Sequence, residues 1–75
     1  MTDDEIKSAL DASGDHVAQF FSYDHLPPSL QFRSRVFAEL AAWLVTNCPR
    51  NPERTKALNK LVEAKDCAVR AFIAK

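Results

Sequence analysis

The sequence predicts an all-α protein, an antiparallel helical hairpin over roughly residues 28–75 with a short N-terminal helix, assembling as a homo-oligomer. Three observations predict it. Apolar residues recur at three- and four-residue steps along two long stretches. The breakers fall between helical stretches and not within them: Gly14 is the only glycine, and the prolines stand at 27, 28, 49 and 52. No alternating run of β-branched residues marks a strand.

The first helix is expected over residues 3–12. Thr2 is a good N-cap, and Asp3, Asp4 and Glu5 suit the positive end of the helix dipole. Ile6, Ala9 and Leu10 form its apolar stripe. Ser13, Gly14 and Asp15 then break the chain, and residues 16–21 form a further turn or two of helix carrying Val17, Phe20 and Phe21. Tyr23 to Pro28 is a connector. Pro27 pushes Leu26 out of the helical region, and Pro28 fits the first turn of the next helix.

That helix is expected over residues 28–48, with Leu30, Phe37, Leu40, Ala41, Leu44 and Cys48 on one face. Phe32, Val36 and Trp43 make a second apolar edge. One pair of helices cannot cover both edges, which points to packing between subunits. Asn51 is the N-cap of the last helix, Pro52 its first residue, and Glu53 follows at the positive end. No strong break appears from there to Lys75, a run of about 36 Å at 1.5 Å per residue. Leu58, Leu61, Val62, Ala68, Val69 and Phe72 line one side. The short connection makes the two long helices antiparallel neighbours.

At 75 residues the chain is one small domain. It buries only about 60% of its unfolded surface, so disulfides, metals or oligomerisation must add stability. Cys48 and Cys67 make no disulfide scaffold, Met1 leads into an acidic stretch with no basic n-region, and no segment approaches the ~20 apolar residues that span a bilayer. A cytoplasmic chain with reduced thiols is expected, stabilised by self-association. Net charge is zero, but residues 1–27 hold six acids and Lys7, whereas residues 28–75 hold nine Lys/Arg against four acids. The chain therefore divides into an acidic N-terminal extension, residues 1–22, and a basic hairpin domain, residues 23–75. A basic hairpin suits an anionic partner; it is also what an ordinary solvated helix surface looks like.

No catalytic centre is expected. His16, His25, Cys48 and Cys67 lack metal-ligand spacing, there is no glycine-rich phosphate loop, and both cysteines read as core residues. Glu63 and Asp66 sit near Lys60 and Arg70 as a surface ion network. Arg33, Arg35, Arg50 and Arg54 raise DNA binding as an alternative, but two long helices on a three-residue connection do not make a helix-turn-helix. Aromatics beside cations carry more weight, since a nucleobase needs a flat face and a phosphate needs Arg or Lys. Tyr23 stands at the entrance of the hairpin, and Arg35 and Arg70 project from its two helices. The plainer alternatives are that Tyr23 packs the connector onto the hairpin and that Arg70 pairs with Asp66.

Four stretches carry a resemblance: Tyr23-Asp-His-Leu-Pro-Pro-Ser-Leu-Gln, Phe37-Ala-Glu-Leu-Ala, Pro52-Glu-Arg-Thr-Lys-Ala-Leu and Glu63-Ala-Lys-Asp-Cys-Ala-Val-Arg-Ala. Over roughly residues 22–73 the chain resembles the phage anti-CBASS nucleotide sponges, whose helical hairpin domain is shared with anti-Thoeris sponges. The closing block is the most specific part. The resemblance implies a phage protein that acts in the cytoplasm of its bacterial host and catalyses nothing. It would capture cyclic oligonucleotide immune messengers, cyclic dinucleotides such as cGAMP or cyclic trinucleotides, without cofactor or metal and with no DNA or membrane partner. It would form a homohexamer, a trimer of dimers with pockets between protomers. By position, Tyr23 would be the stacking residue and Arg70 a trinucleotide contact, with Lys65 and His25 in the binding set. Many members place a phosphate-binding lysine fifteen residues after the tyrosine; here that position is Ala38, and Arg35, one turn earlier, would substitute. Without the resemblance, a small helical interaction or adaptor protein is the other reading.

Overall fold

The computed structural model describes residues 1–74. Helix α1 (Asp3–Ala12), a 3-10 helix (His16–Phe21), α2 (Pro28–Asn47) and α3 (Pro52–Ile73) follow one another, and no described residue lies in a strand. The helix starts match the expected caps. Thr2 forms a capping box, its hydroxyl accepting from the Glu5 amide at 3.1 Å while the Glu5 carboxylate accepts from the Thr2 amide at 2.9 Å. Asn51 caps α3 by accepting from the Arg54 amide at 2.9 Å. Pro27 offers α2 no side-chain cap, and Pro28 occupies its first turn. The long helices end slightly before the sequence predicts, α2 at Asn47 and α3 at Ile73; Cys48 and Ala74 are already extended. The last residue of the expected helix, Lys75, lies outside the described residues.

Between α1 and the 3-10 helix the chain turns at Gly14, whose φ of +77° is open to glycine and strained for other residues. The connector to α2 is tied by Gln31, whose side-chain amide donates to the Leu26 carbonyl at 2.7 Å and the Asp24 carbonyl at 3.1 Å. These bonds satisfy carbonyls that the proline-bounded turn leaves without helical partners.

Helix α2 touches α1, the 3-10 helix and α3. Its buried residues are Ser34, Ala38, Ala41 and Ala42. Small side chains are what three neighbours demand, because they let backbones approach closely. The core closes over this row with Ile6 from α1, Val17 and Phe21 from the 3-10 helix, Tyr23 from the connector and Leu58 from α3. The face expected from periodicity is met at Ala41, which is fully buried, and only in part elsewhere. Phe37 and Leu44 are partly buried against the core, but Leu40 is exposed, and Ala38 is fully buried. On α3 only Arg54 and Leu58 are buried; Leu61 and Val62 pack partly, while Ala68 and Phe72 are exposed. Cys67 is exposed as well, so it is not the core residue expected, and Cys48 is half-buried. The second edge of α2, Phe32, Val36 and Trp43, faces outward with Leu40 beside it; Phe32 is 73% exposed.

The first turns of α3 meet the end of α2 through Arg54, which donates to the Val45 and Cys48 carbonyls. At the other end, the Arg33 guanidinium of α2 lies 3.4 Å over the Phe72 ring of α3. No described helix is long and apolar enough to cross a membrane.

Candidate functional site

The charge asymmetry of the sequence resolves into contacts within the chain. Acids of the N-terminal segment pair with cations of the long helices at two places, and Lys7 pairs with Asp24 at 2.7 Å.

The first place is buried. The Arg54 and Asp15 side chains are 5% and 6% exposed. All five N–H groups of Arg54 are used: Nε and Nη2 donate to Asp15 Oδ2 at 3.2 and 2.8 Å, Nη2 to the Ser13 carbonyl at 3.0 Å, and Nη1 to the Val45 and Cys48 carbonyls, both at 3.1 Å. Asp15 also accepts from the Thr55 hydroxyl at 3.0 Å. A buried charge is tolerated when it is both paired and hydrogen-bonded, and here both groups are. Arg54 therefore fixes the ends of α1 and α2 to the start of α3. It offers no donor to an outside phosphate, which removes one of the four arginines that raised DNA binding. Sequence reading missed this pair, because Asp15 and Arg54 stand far apart and neither belongs to a motif. The one available cue was Asp15 following the only glycine.

The second place is open. Asp3 Oδ1 accepts from the Tyr23 hydroxyl at 2.5 Å and from Arg35 Nε at 2.7 Å. Arg35 Nη2 donates to the Met1 carbonyl at 2.6 Å and Nη1 to Glu39 Oε2 at 3.3 Å, while the chain's amino terminus stands 3.6 Å from that same Glu39 oxygen. The Arg35 and Asp3 side chains are 35% and 60% exposed. The Tyr23 hydroxyl and then Arg35 hold the Asp3 carboxyl below its ordinary range. Burial, reinforced by the Asp3 hydrogen bond, pushes Tyr23 up to about 12, so at neutral pH its hydroxyl is a firm donor. Two of the expected site residues, Tyr23 and Arg35, thus converge on a single anionic oxygen. The Tyr23 ring itself is only 6% exposed and belongs to the core, as in the plainer reading of it. Ala38 is fully buried, so this fold has no room there for a lysine facing solvent.

The other three expected residues gather elsewhere. His25, Lys65 and Arg70 line a cavity of about 350 Å³ that reaches from the 3-10 helix and connector to α2 and α3. Lys65 Nζ donates to the Phe20 carbonyl and stands 3.6 Å from Asp66 Oδ1. Arg70 does not pair with Asp66; its described polar contact runs from Nη2 to Cys67 Sγ at 3.3 Å. The expected ion network is present in part, with Lys60 3.8 Å from Glu63. A larger groove of about 490 Å³ beside α1 and the 3-10 helix is lined by Asp11, Asp15 and Asp24 with Lys7 and His16, a poor lining for an anion.

Among the described residues no group of His, Cys, Asp or Glu is placed to hold a metal ion. No family model, curated protein or solved structure matches the chain.

Proposed function

We propose that this chain is a phage anti-defence sponge that captures cyclic oligonucleotide messengers and withholds them from their effectors. The hairpin of residues 23–75 would be the binding domain, acting in the host cytoplasm as a homo-oligomer, a hexamer by the resemblance. The observation that carries the proposal is the convergence of Tyr23 and Arg35, from the connector and α2, on one carboxylate oxygen. A donor pair that holds a carboxylate oxygen also suits a phosphate oxygen, and a guanidinium binds either anion through charge-assisted hydrogen bonds. In this reading Asp3 stands in for the ligand's phosphate, and a messenger binds by displacing it. Residues 1–22 then form a cover whose acidic end fills the seat until a stronger anion arrives.

Capture of this kind is stoichiometric. It needs a dissociation constant on the order of nM against signals near ~μM. A two-fold interface between copies would present each group twice, which suits a near-symmetric cyclic dinucleotide. The test is a thermal-shift panel of cyclic di- and trinucleotides and cyclic ADP-ribose isomers. A ligand at 100 times its dissociation constant should stabilise the fold by about 2.7 kcal/mol. No shift with any of them overturns the proposal.

One observation favours a second reading, a helical interaction protein. Phe32, Val36, Leu40 and Trp43 form an exposed apolar stripe along α2. Light scattering separates the cases: a sponge oligomer should use this stripe between copies, whereas an adaptor would remain monomeric until it met its partner.

A further inference from the structure

Ser34 Oγ is the side-chain polar atom, among the described residues, that is buried without any hydrogen-bond partner. The residue is 1% exposed and sits mid-helix on α2. A serine there ordinarily bonds back to a carbonyl one turn earlier or points to water, and a buried hydroxyl left without either is destabilising. Ser34 lies on the wall of the cavity lined by His25, Lys65 and Arg70. Arg70 has no described carboxylate partner, and a thiol is a weak acceptor for it. The single acid of the lining, Asp66, faces Lys65 at 3.6 Å. Phe20, half exposed, offers an aromatic surface in the same lining.

We infer that this cleft is a binding site, complete within one protomer, for a phosphate ester of mononucleotide size. Arg70 and Lys65 hold the phosphate, Ser34 Oγ gains its missing partner from the ligand, and Phe20 lies against the base. At about 350 Å³ the cavity stands at the small end of ligand pockets. That suits one nucleotide unit and not a ring of three. The inference goes beyond the sponge proposal, which sets its phosphate seat at Tyr23 and Arg35 and gives Arg70 to a trinucleotide pocket between copies; here Arg70 and Lys65 serve a mononucleotide within one copy.

The test is calorimetric titration of the full chain with adenosine 5′-monophosphate, inorganic phosphate and adenosine. The mononucleotide should bind once per protomer and more tightly than either fragment. Ser34→Ala should weaken it about tenfold, the loss of one hydrogen bond to a charged group, while leaving the melting temperature unchanged or raised. Arg70→Gln should weaken it at least about tenfold, and the fold should survive because Arg70 anchors no other helix. Absence of mononucleotide binding at millimolar concentrations overturns the inference. So does binding that both variants leave intact, or binding of less than one ligand per protomer. Cyclic trinucleotide binding without mononucleotide binding supports the sponge and removes this cleft; mononucleotide binding with no response to any cyclic nucleotide keeps the cleft and removes the sponge.

Discussion

Two aspartates of the acidic N-terminal segment are held by arginines of the long helices, and the two pairs are built in opposite ways. Asp15 and Arg54 are sealed from water, with all five guanidinium donors used on three separate segments. Asp3 and Arg35 sit at the surface, and of the groups around them only Tyr23 is buried. Coulomb attraction is similar in kind at both, but the environment decides what each does. An exposed pair contributes little to stability and exchanges readily with water and ions. A buried one cannot lose a partner without stranding a charge. The first pair is therefore architecture, and the second is a contact that an anionic ligand can compete for.

The largest effect is expected from removing the buried cation. Arg54→Met leaves Asp15 without its charge partner and frees the Ser13, Val45 and Cys48 carbonyls, so urea denaturation should show a loss of about 3–5 kcal/mol. In a domain this small that is most of its stability. A loss under about 1 kcal/mol would mean that water reaches Asp15 and that the two pairs do not differ as described. Gly14→Ala probes the approach to the same pair. Its φ of +77° disfavours a side chain, and a Cβ would meet the Arg50 guanidinium carbon at 3.1 Å. A cost of about 1–2 kcal/mol is expected from the backbone alone, read as a lower urea midpoint.

Much of the fold was legible in the sequence, because caps and breakers act locally. Thr2, Asn51, Pro28 and Pro52 mark three helix starts correctly, and Ser13-Gly14-Asp15 marks the turn. The inner face of α2 was harder to read. Bulk pointed to Leu40, but a helix packed against three neighbours buries its small residues, and Ser34, Ala38, Ala41 and Ala42 give a weak hydropathy signal. The candidate sites were least legible. Tyr23 and Arg35 could be named from the sequence, but nothing in it says that Asp3 holds both. Ser34 carried no signal at all, since a lone serine acquires meaning only when burial leaves its hydroxyl without a partner.

At the open pair, Tyr23→Phe should cost about 1 kcal/mol, one net hydrogen bond, because the exposed Asp3 carboxylate can turn to water. Its signature lies in pH. The Tyr23 value is raised above its ordinary 10.0 to about 12. Its contribution is therefore full below pH 10 and is lost as pH rises from 10 toward 12. Melting temperature should fall over that window in the native chain, and the fall should be smaller in Tyr23→Phe. Asp3 has the opposite sign. Its value lies below its ordinary 3.8, so its contribution is present above that pH and is lost as pH drops through the lowered value.

Asp3→Asn should change stability least of all and binding most informatively. The asparagine keeps an oxygen for the Tyr23 hydroxyl but loses the charge that holds Arg35. If Asp3 occupies the phosphate seat, every ligand must first displace it, and apparent affinity is reduced by the fraction of chains in which the seat is open. With about 10% open, removing the competing charge should tighten cyclic dinucleotide binding by up to about tenfold, measured by calorimetry against the native chain. Arg35→Gln should do the reverse, abolishing that binding while leaving the Asp15 and Arg54 pair and the fold in place. Equal affinity in Asp3→Asn and the native chain would show that ligand and carboxylate do not share a seat. The open pair would then be, like the buried one, part of the architecture, and only the cleft beside Ser34 would be left as a candidate site.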